Sequence, residues 1–229
     1  MDFQQGLITT IHEYGITKDL IKELNKGLNN RPTAILIPCL YEEFERPALK
    51  SIKEVLTNLN GLNELVIALS AKSKEQVNSA KSFFESMPFP VHLQWTNSPS
   101  VIELLKSQEK NGLELLGTPG KGWAVWQGIG VATRKSEVVA LFDADIRTFS
   151  ALYPSKMILP LLDDSYGISY VKAFYSRLSL ETNELQGRAT RLFVGPLLDS
   201  LEQLVGKGPF LQYLQSFRYP LAGEFAFTK

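Results

Sequence analysis

Short apolar runs and amphipathic segments alternate from residue 33 to residue 142, and this order limits the fold more than any other feature of the sequence. Four apolar runs have the length of strands and occupy residues 33–38, 64–70, 91–96 and 137–142. Three stretches have helical spacing and occupy residues 46–59, 73–87 and 120–133. Strands that alternate with helices predict an α/β fold, with a mainly parallel sheet covered by helices on both faces. Because such sheets bind ligands beyond the carboxyl ends of their strands, we expect a site at that edge.

A further amphipathic helix is predicted ahead of the first strand, where apolar residues between positions 17 and 28 recur at helical spacing. The sequence contains no internal repeat and no low-complexity linker. We therefore expect one domain of residues 31–229, preceded by an N-terminal helical extension of residues 1–30.

Composition excludes several classes of protein. The 24 basic residues balance 24 acidic ones, which argues against a nucleic-acid partner. The single cysteine, Cys39, excludes an intramolecular disulfide and fits a reducing compartment. The sequence has no secretory signal pattern at its start and no apolar window of the length that a membrane span needs. We expect a soluble, cytoplasmic, globular protein without a membrane partner.

The stretch FDADI carries the most suggestive pair of side chains. Asp143 and Asp145 follow the apolar run 137–142, and in an extended chain their Cα atoms would lie about 6.5–7 Å apart on the same face. Hard cations such as Mg²⁺ and Mn²⁺ prefer carboxylates together with substrate phosphates. A turn in which Asp145 caps a helix explains the same spacing equally well.

Two motifs surround the predicted strands. In GTPGKGWA the glycines let a backbone approach a ligand and Lys121 could meet a phosphate, although the spacing is not that of a P-loop and a solvated lysine is an alternative. In PCLYEE a proline ends the first strand and Glu42 could accept a hydrogen bond from a base or ribose. An acidic residue at a helix start explains Glu42 as well.

Two later motifs suggest anion and sugar binding. GRATR places Arg188 and Arg191 three residues apart at a predicted helix start, which is either an anion site or a solvated turn. In PLAGEFA, Glu224 is flanked by apolar residues, so it is a site residue or part of a structural salt bridge. We find no Ser/His/Asp or Cys/His arrangement, and we interpret Cys39 as a packing residue.

The ordered set of motifs resembles the glucosyl-3-phosphoglycerate synthase family from residue 33 to the C-terminus. The motifs are LIPCLYEE, GTPGKGWAVWQGI, VVALFDADI, VKAFYSR, GRATRLFVGPLL and YPLAGEFA. Members of that family are retaining, metal-dependent glycosyltransferases of the GT-A fold, a Rossmann-like nucleotide-diphospho-sugar transferase fold. The stretch FDADIRTF is also similar to mannosylglycerate synthases.

The resemblance implies a role for each matching residue. The uracil-contacting loop corresponds to Pro38, Leu40 and Glu42, and Ser70 matches a serine that contacts the nucleotide. Lys121 matches a lysine near the nucleotide, and Asp143 and Asp145 match the pair that contacts the metal and the ribose. The segment that holds the acceptor corresponds to Gly187, Arg188 and Thr190, and Glu224 matches a glutamate that faces the donor sugar.

The implied activity is transfer of glucose, with retention, from a nucleotide-sugar such as UDP-glucose to 3-phosphoglycerate or glycerate, with Mg²⁺ or Mn²⁺ as cofactor. Because no nucleophile stands out, we expect same-face attack with Glu224 orienting the sugar. A mannosylglycerate synthase-like enzyme that uses GDP-mannose is an alternative. A nucleotidyltransferase is disfavoured, because PCLYEEFER lacks the glycine-rich, basic character that a triphosphate loop needs.

Family members are longer and carry a further metal-ligating histidine, with an acceptor-binding arginine near it, after the strand that follows Gly223 and Glu224. This chain ends at Lys229, so we expect a C-terminal truncation relative to the family. A sugar-nucleotide-binding module with little or no turnover is therefore a second alternative. The oligomeric state is open, with a homodimer among the options.

Overall fold

The fold is that of a computed structural model, which describes residues 8, 10, 11, 17–109, 120–175, 177, 178, 185, 186 and 189–229. Its strands, in chain order, are β1 (Thr33–Leu40), β2 (Glu64–Ser70), β3 (Val91–Trp95), β4 (Val138–Leu141), β5 (Tyr170–Lys172), β6 (Arg177–Leu178), β7 (Leu185–Gln186) and β8 (Phe225–Thr228). Six of them form one sheet in the order β3-β2-β1-β4-β8-β5, while β6 and β7 pair with each other as a separate antiparallel ribbon.

The described α-helices connect these strands or follow them. They are α1 (Thr17–Asn30), α2 (Pro47–Thr57), α3 (Lys74–Phe84), α4 (Pro99–Glu109), α5 (Lys121–Ala132), α6 (Leu152–Leu162), α7 (Gly195–Val205) and α8 (Pro209–Ser216). Short 3-10 helices span Tyr41–Glu45 and Asp164–Tyr166, and a π-helical turn, Thr190–Val194, leads into α7.

The chain divides into two compact units. One consists of residues 15–171 and 224–229 and contains the sheet, and the other consists of residues 1–14 and 172–223. Helix α1 belongs to the unit that contains the sheet and packs against α6. The domain boundary that we expect between residues 30 and 31 stays a prediction.

The sheet is mixed but mainly parallel, as predicted. β1 pairs in parallel with β2 on one side and with β4 on the other, and β3 pairs in parallel with β2. β8 runs antiparallel to β4, with Phe225 opposite Leu141. Seven consecutive residues of β1 are buried, so side chains that point to either face are covered. This is the pattern of a parallel strand with helices on both faces.

Helix α5 packs closely against one face of the sheet. Its buried residues Ala124, Gly128 and Ala132 meet small and branched side chains of β1, β2 and β4. A Cβ atom built on Gly128 would clash with Cδ1 of Leu36 and would lie 3.2 Å from the Cβ of Ala68. Because Gly128 has no side chain, α5 can lie this close to the strands.

Pro38 does not end the first strand, contrary to the prediction, because β1 continues to Leu40. The Phe142 N–H donates to the Leu36 carbonyl at 3.0 Å, so the backbone groups of Leu36 face β4. Backbone groups of alternate residues point the same way, and Pro38 therefore faces the same side. β4 has already ended at Leu141, which is opposite Leu36, so the N–H that proline lacks breaks no ladder hydrogen bond.

Candidate functional site

The carboxyl ends of β1, β2 and β4 meet at one edge of the sheet, which we call the ligand edge. Leu40, the last residue of β1, lies opposite Ser70, the last residue of β2. Asp143 follows two residues after the end of β4, and Lys121 begins α5. Parallel pairing of β1 with β2 and β4, together with the packing of α5 on the sheet, thus brings residues from four separate parts of the sequence to one edge, as the fold class predicts.

Lys121 and Asp143 are in direct contact. The lysine Nζ donates to Oδ1 of the aspartate at 2.5 Å. The lysine side chain is 51% exposed and the aspartate side chain 18% exposed. A half-exposed pair of this kind contributes little to stability. The pair matters for ligand binding, because the ammonium group of Lys121 already interacts with one oxygen of Asp143, the first aspartate of FDADI.

Asp145 lies at the surface beyond Asp143. The chain turns at residues 144 and 145, so the two aspartates do not share one face of an extended strand, which corrects the spacing argument. Ala144 between them is buried, whereas Asp145 is exposed. The loop after β4 therefore presents Asp145 to solvent and Asp143 to Lys121.

These side chains fit a divalent cation that is shared with a phosphate. Mg²⁺ and Mn²⁺ are held by one or two carboxylates together with substrate phosphates and water, and Asp143 and Asp145 can supply the carboxylates. Over the described part of the chain no group of three or more histidine, cysteine, aspartate or glutamate side chains gathers into a metal cage. Oδ1 of Asp143 already interacts with one cation, the ammonium group of Lys121.

The loop after β1 presents two of its three predicted residues to solvent. Pro38 is buried in the strand, Leu40 is 56% exposed, and Glu42 is exposed in the 3-10 helix that follows. Oε1 of Glu42 accepts a hydrogen bond from Nζ of Lys72 at 2.9 Å. That hydrogen bond is the main cause of a lowered pKa for the Glu42 carboxyl. Lys72 was not singled out from the sequence.

Cys39 and Glu43 lie behind this loop. Burial, and next the charges of Glu43 and Glu42, raise the pKa of the Cys39 thiol far above its usual value. The thiol is therefore protonated at neutral pH, which agrees with a packing residue and not with a nucleophile. Glu43 is buried, and its Oε1 accepts a hydrogen bond from Arg46 at 2.7 Å.

Side chains at the end of β3 hold the segment that follows β2. Nδ2 of Asn97 donates to the Ala71 carbonyl at 2.9 Å, and Oδ1 of Asn97 accepts from the Ala71 N–H at 3.1 Å. The indole Nε1 of Trp95 donates to the same carbonyl at 3.0 Å. Sequence reasoning missed both residues, although a polar residue directly after a predicted strand, as Asn97 is, could have pointed to them.

Glu224 reaches the ligand edge from the end of the chain. It directly precedes β8, and the antiparallel register places Phe225 opposite Leu141, the last residue of β4. Glu224 therefore lies beside the start of the loop that carries Asp143. Its side chain is almost wholly buried, with the residue 3% exposed. Burying a carboxylate costs free energy unless other groups interact with it, so a glutamate at this position indicates a specific role.

The predicted acceptor residues are only partly within the described structure. Thr190 begins the π-helical turn in the second unit, is half-buried, and has no hydrogen-bond partner for its buried hydroxyl oxygen among the described residues. Gly187 and Arg188 lie outside the described residues. All three stay predictions as acceptor-binding residues.

Two curated relatives match the whole chain, while no protein-family model matches it. The glucosyl-3-phosphoglycerate synthase of Methanococcoides burtonii is 38% identical over 229 residues, which is 100% of this chain and 56% of that protein. The glucosyl-3-phosphoglycerate synthase of Persephonella marina is 32% identical over 231 residues, which is 99% of this chain and 56% of that protein. The chain thus spans little more than half the length of both relatives.

Solved structures of the glucosyl-3-phosphoglycerate synthase from Mycobacterium tuberculosis share the fold. The complex with Mn²⁺, UDP and phosphoglyceric acid matches with a TM-score of 0.62 at 25% identity, covering 98% of this chain and 64% of that one. The complex with Mn²⁺ and UDP-glucose gives a TM-score of 0.60 at 25% identity, covering 95% and 62%.

The mixed, mainly parallel sheet and these structural matches define the chain as a GT-A fold, the fold of nucleotide-sugar transferases. Within that class, identity over the full 229 residues confirms the resemblance to the glucosyl-3-phosphoglycerate synthase family that the motifs predict. Of the helices that the structure describes, none combines the length and apolar character needed to cross a membrane.

Proposed function

We propose that this chain carries the nucleotide-sugar site of a metal-dependent glucosyltransferase that moves glucose from UDP-glucose to 3-phosphoglycerate. The observation that carries the proposal is the contact between Lys121 and Asp143, at the edge where Leu40 and Ser70 end their strands and Glu224 arrives. The names of the two curated relatives support the choice of donor sugar and acceptor. The fold alone would support many nucleotide-sugar donors.

The nucleoside would lie against the ends of β1 and β2. The exposed side chain of Leu40 offers an apolar surface for the face of a base, and the Glu42 carboxylate offers an acceptor for its N–H group. Ser70, half-buried and opposite Leu40, adds a hydroxyl that can both donate and accept. A nucleoside matches these groups, because its base can pack on Leu40 and donate an N–H hydrogen bond to Glu42 while its ribose lies beside Ser70.

The diphosphate would lie over Lys121 and the loop after β4. Asp143 and Asp145 would hold Mg²⁺ or Mn²⁺, which when bound supplies positive charge to the departing diphosphate. Lys121 would exchange its contact with Asp143 for one with a phosphate oxygen, because both partners are anions within reach of a flexible side chain. The same aspartate would then be free to act as a ligand.

Transfer with retention is proposed to proceed by same-face attack. Glu224 accepts hydrogen bonds from hydroxyls of the donor sugar and holds its ring in place. The bond between the anomeric carbon and the diphosphate oxygen breaks, with its electron pair leaving on UDP. The acceptor hydroxyl forms the new bond on the same face, and its proton passes to the departing oxygen. Gly187, Arg188 and Thr190 are proposed to hold the acidic acceptor, since a guanidinium suits a phosphate or carboxylate.

The transfer is tested by incubating the chain with UDP-glucose, Mg²⁺ and 3-phosphoglycerate and following the sugar into an acidic, phosphorylated product. Parallel reactions with GDP-mannose, and with glycerate as acceptor, distinguish the two alternatives for donor and acceptor. We expect product with UDP-glucose and 3-phosphoglycerate, and none when Glu224 is replaced in Glu224→Gln. Donor that stays intact with every acceptor, although UDP binds, would show a binding module and contradict the transfer.

A homodimer and a cytoplasmic location are also proposed. Helix α7 exposes Leu197, Leu201 and Leu204 at helical spacing, and an apolar stripe of this kind is typical of an interface. Light scattering coupled to size exclusion tests the dimer, and a monomer at micromolar concentration would contradict it.

The cytoplasmic location is supported by the single cysteine, whose thiol is free and buried, because this fits a reducing compartment.

A further inference from the structure

We propose that Asn97 is a positioning residue for nucleotide binding, which it supports by holding the segment of residues 70–72. This inference rests on the proposed function, because it gives the ligand edge a role in binding a nucleotide. Asn97 itself lies beyond the end of β3, next to the strand whose last residue is Ser70. Its effect on the ligand would pass through residues of that segment.

The side chain of Asn97 acts as a substitute strand. β3 ends at Trp95, yet Ala71 of the neighbouring segment still receives the hydrogen bonds of a sheet partner. Both its N–H and its carbonyl are bonded to the Asn97 amide, at 3.1 and 2.9 Å. An amide side chain offers one acceptor and two donors, so one residue can satisfy both peptide groups. The sheet-like pairing therefore continues to Ala71, one residue past the end of β2.

The neighbouring hydrogen bonds strengthen this hold from the same side. The Thr96 N–H and the Thr96 hydroxyl both donate to the Leu69 carbonyl, at 2.9 and 3.0 Å. Trp95 donates to the Ala71 carbonyl at 3.0 Å. Ser70 thus lies between two residues whose backbone is fixed from β3, while its own neighbour across the sheet is Leu40 of β1.

The hold extends to the loop after β1 through Lys72. This residue directly follows Ala71, its backbone N–H donates to Oε1 of Gln76 at 2.7 Å, and its Nζ donates to Glu42 at 2.9 Å. If the Ala71 peptide were released, the start of Lys72 would move with it. A continuous series of contacts therefore connects Asn97 with Ser70 and Glu42, two of the proposed nucleotide-binding residues.

The chain contains a matched control at the opposite end of the same strand. Asn63 directly precedes β2, and its Nδ2 donates to the Lys135 carbonyl at 3.2 Å and to the Ser136 hydroxyl at 3.0 Å. Asn63→Ala and Asn97→Ala each remove side-chain amide hydrogen bonds beside one end of β2. Both changes should lower the stability of the fold, but only Asn97 is next to the ligand edge.

The experiment measures two properties of wild type, Asn97→Ala and Asn63→Ala at a temperature where urea titration shows each to be folded. Calorimetry gives the Kd for UDP in the presence of Mn²⁺, and carbon-detected NMR gives the pKa of the Glu42 carboxyl. We expect Asn97→Ala to weaken UDP binding by about tenfold, which corresponds to about 1.4 kcal/mol. We also expect it to raise the Glu42 pKa towards its usual value, and Asn63→Ala to leave both properties unchanged.

Trp95→Phe is the second variant, because it keeps an aromatic ring and removes one of the two donors to the Ala71 carbonyl. We expect a smaller loss of UDP affinity than in Asn97→Ala. In the double variant Trp95→Phe/Asn97→Ala, the loss should be smaller than the sum of the two single losses, because both side chains donate to the same carbonyl. Equal UDP affinity in wild type and both single variants would overturn the inference. Equal weakening in Asn97→Ala and Asn63→Ala would also overturn it. A wild type that fails to bind UDP would instead contradict the proposed function, while the Glu42 pKa would still report on the positioning.

Discussion

At the scale of single residues, the Asp143 carboxylate has a cation at hydrogen-bonding distance in the Lys121 ammonium. A divalent ion that binds Asp143 must compete with this ammonium for the same oxygen. Under the proposed function, Lys121 pairs with the aspartate in the free protein and with a phosphate of the bound nucleotide. Two opposite effects on binding should follow when the lysine charge is removed.

We predict that Lys121→Met strengthens the binding of Mn²⁺ alone by about threefold and weakens the binding of UDP with Mn²⁺ by about tenfold. The first effect arises because the competing ammonium is gone, and the second because the diphosphate loses a cation. Manganese EPR and calorimetry measure the two constants. Lys50→Met, on the exposed face of α2, is the matched control and should change neither. Unchanged Mn²⁺ affinity in Lys121→Met would contradict the competition.

Glu42 provides a prediction about pH. Its carboxyl has a lowered pKa in the folded chain, mainly because Lys72 donates a hydrogen bond to it. A lowered pKa means that the contact stabilises the fold above the ordinary carboxyl pKa and that this contribution is lost as the pH falls through the lowered value. We predict that Lys72→Met raises the Glu42 pKa towards its ordinary range, as measured by NMR titration. Lys74→Met in the following helix is the control, and a Glu42 pKa that does not move in Lys72→Met would show that another group lowers it.

The sequence could predict Asp143, Lys121 and Glu42 as candidates one by one, because each follows or precedes a recognisable element. It could not predict which of them touch. Lys72 and Asn97 act through partners that parallel pairing brings from distant positions, and no local spacing records such a partner. The sequence therefore pointed to the candidate residues of the ligand edge more readily than to Lys72 and Asn97, which hold parts of that edge in place.

At the scale of elements, helix α5 offers a matched pair of glycines. Gly128 faces Leu36 and Ala68 in the core, whereas a Cβ on Gly130 would meet nothing within 4 Å. We predict that Gly128→Ala lowers the free energy of unfolding by about 1–3 kcal/mol, because the helix must move away from the sheet. Gly130→Ala should raise it by about 0.5–1 kcal/mol, since alanine is the better helix former. Urea unfolding measures both, and a stabilised Gly128→Ala would contradict the close approach.

The alternation of runs predicted β1, β2, β3 and β4 together with α2, α3 and α5, because a buried parallel strand is a short continuous apolar run and an amphipathic helix has its own spacing. It did not predict α4, which lies between β3 and β4. It did not predict that β1 passes through Pro38, since that depends on where the neighbouring β4 ends. It also did not predict that β8 pairs beside β4, because a short strand carries no signal for its place in a sheet. That placement is what brings Glu224 to the ligand edge.

At the scale of the whole molecule, the last six residues return to the unit that contains the sheet after an excursion through residues 172–223. The ligand edge therefore depends on contacts between the two ends of that unit. A ligand that binds only the folded form should also stabilise it, so UDP with Mn²⁺ should raise the melting temperature as its concentration rises. This measures binding by the chain as a whole and not by one loop.

The most direct test of the account is calorimetric titration of UDP into the 229-residue chain, with and without Mn²⁺, alongside Asp143→Asn. The account predicts binding that strengthens at least tenfold when Mn²⁺ is present, and loss of that metal dependence in Asp143→Asn. The substitution should leave the unfolding midpoint nearly unchanged, because the pair with Lys121 is partly exposed. UDP binding that is absent, or that depends on Mn²⁺ equally in both proteins, would contradict a nucleotide-sugar site at this edge of the sheet.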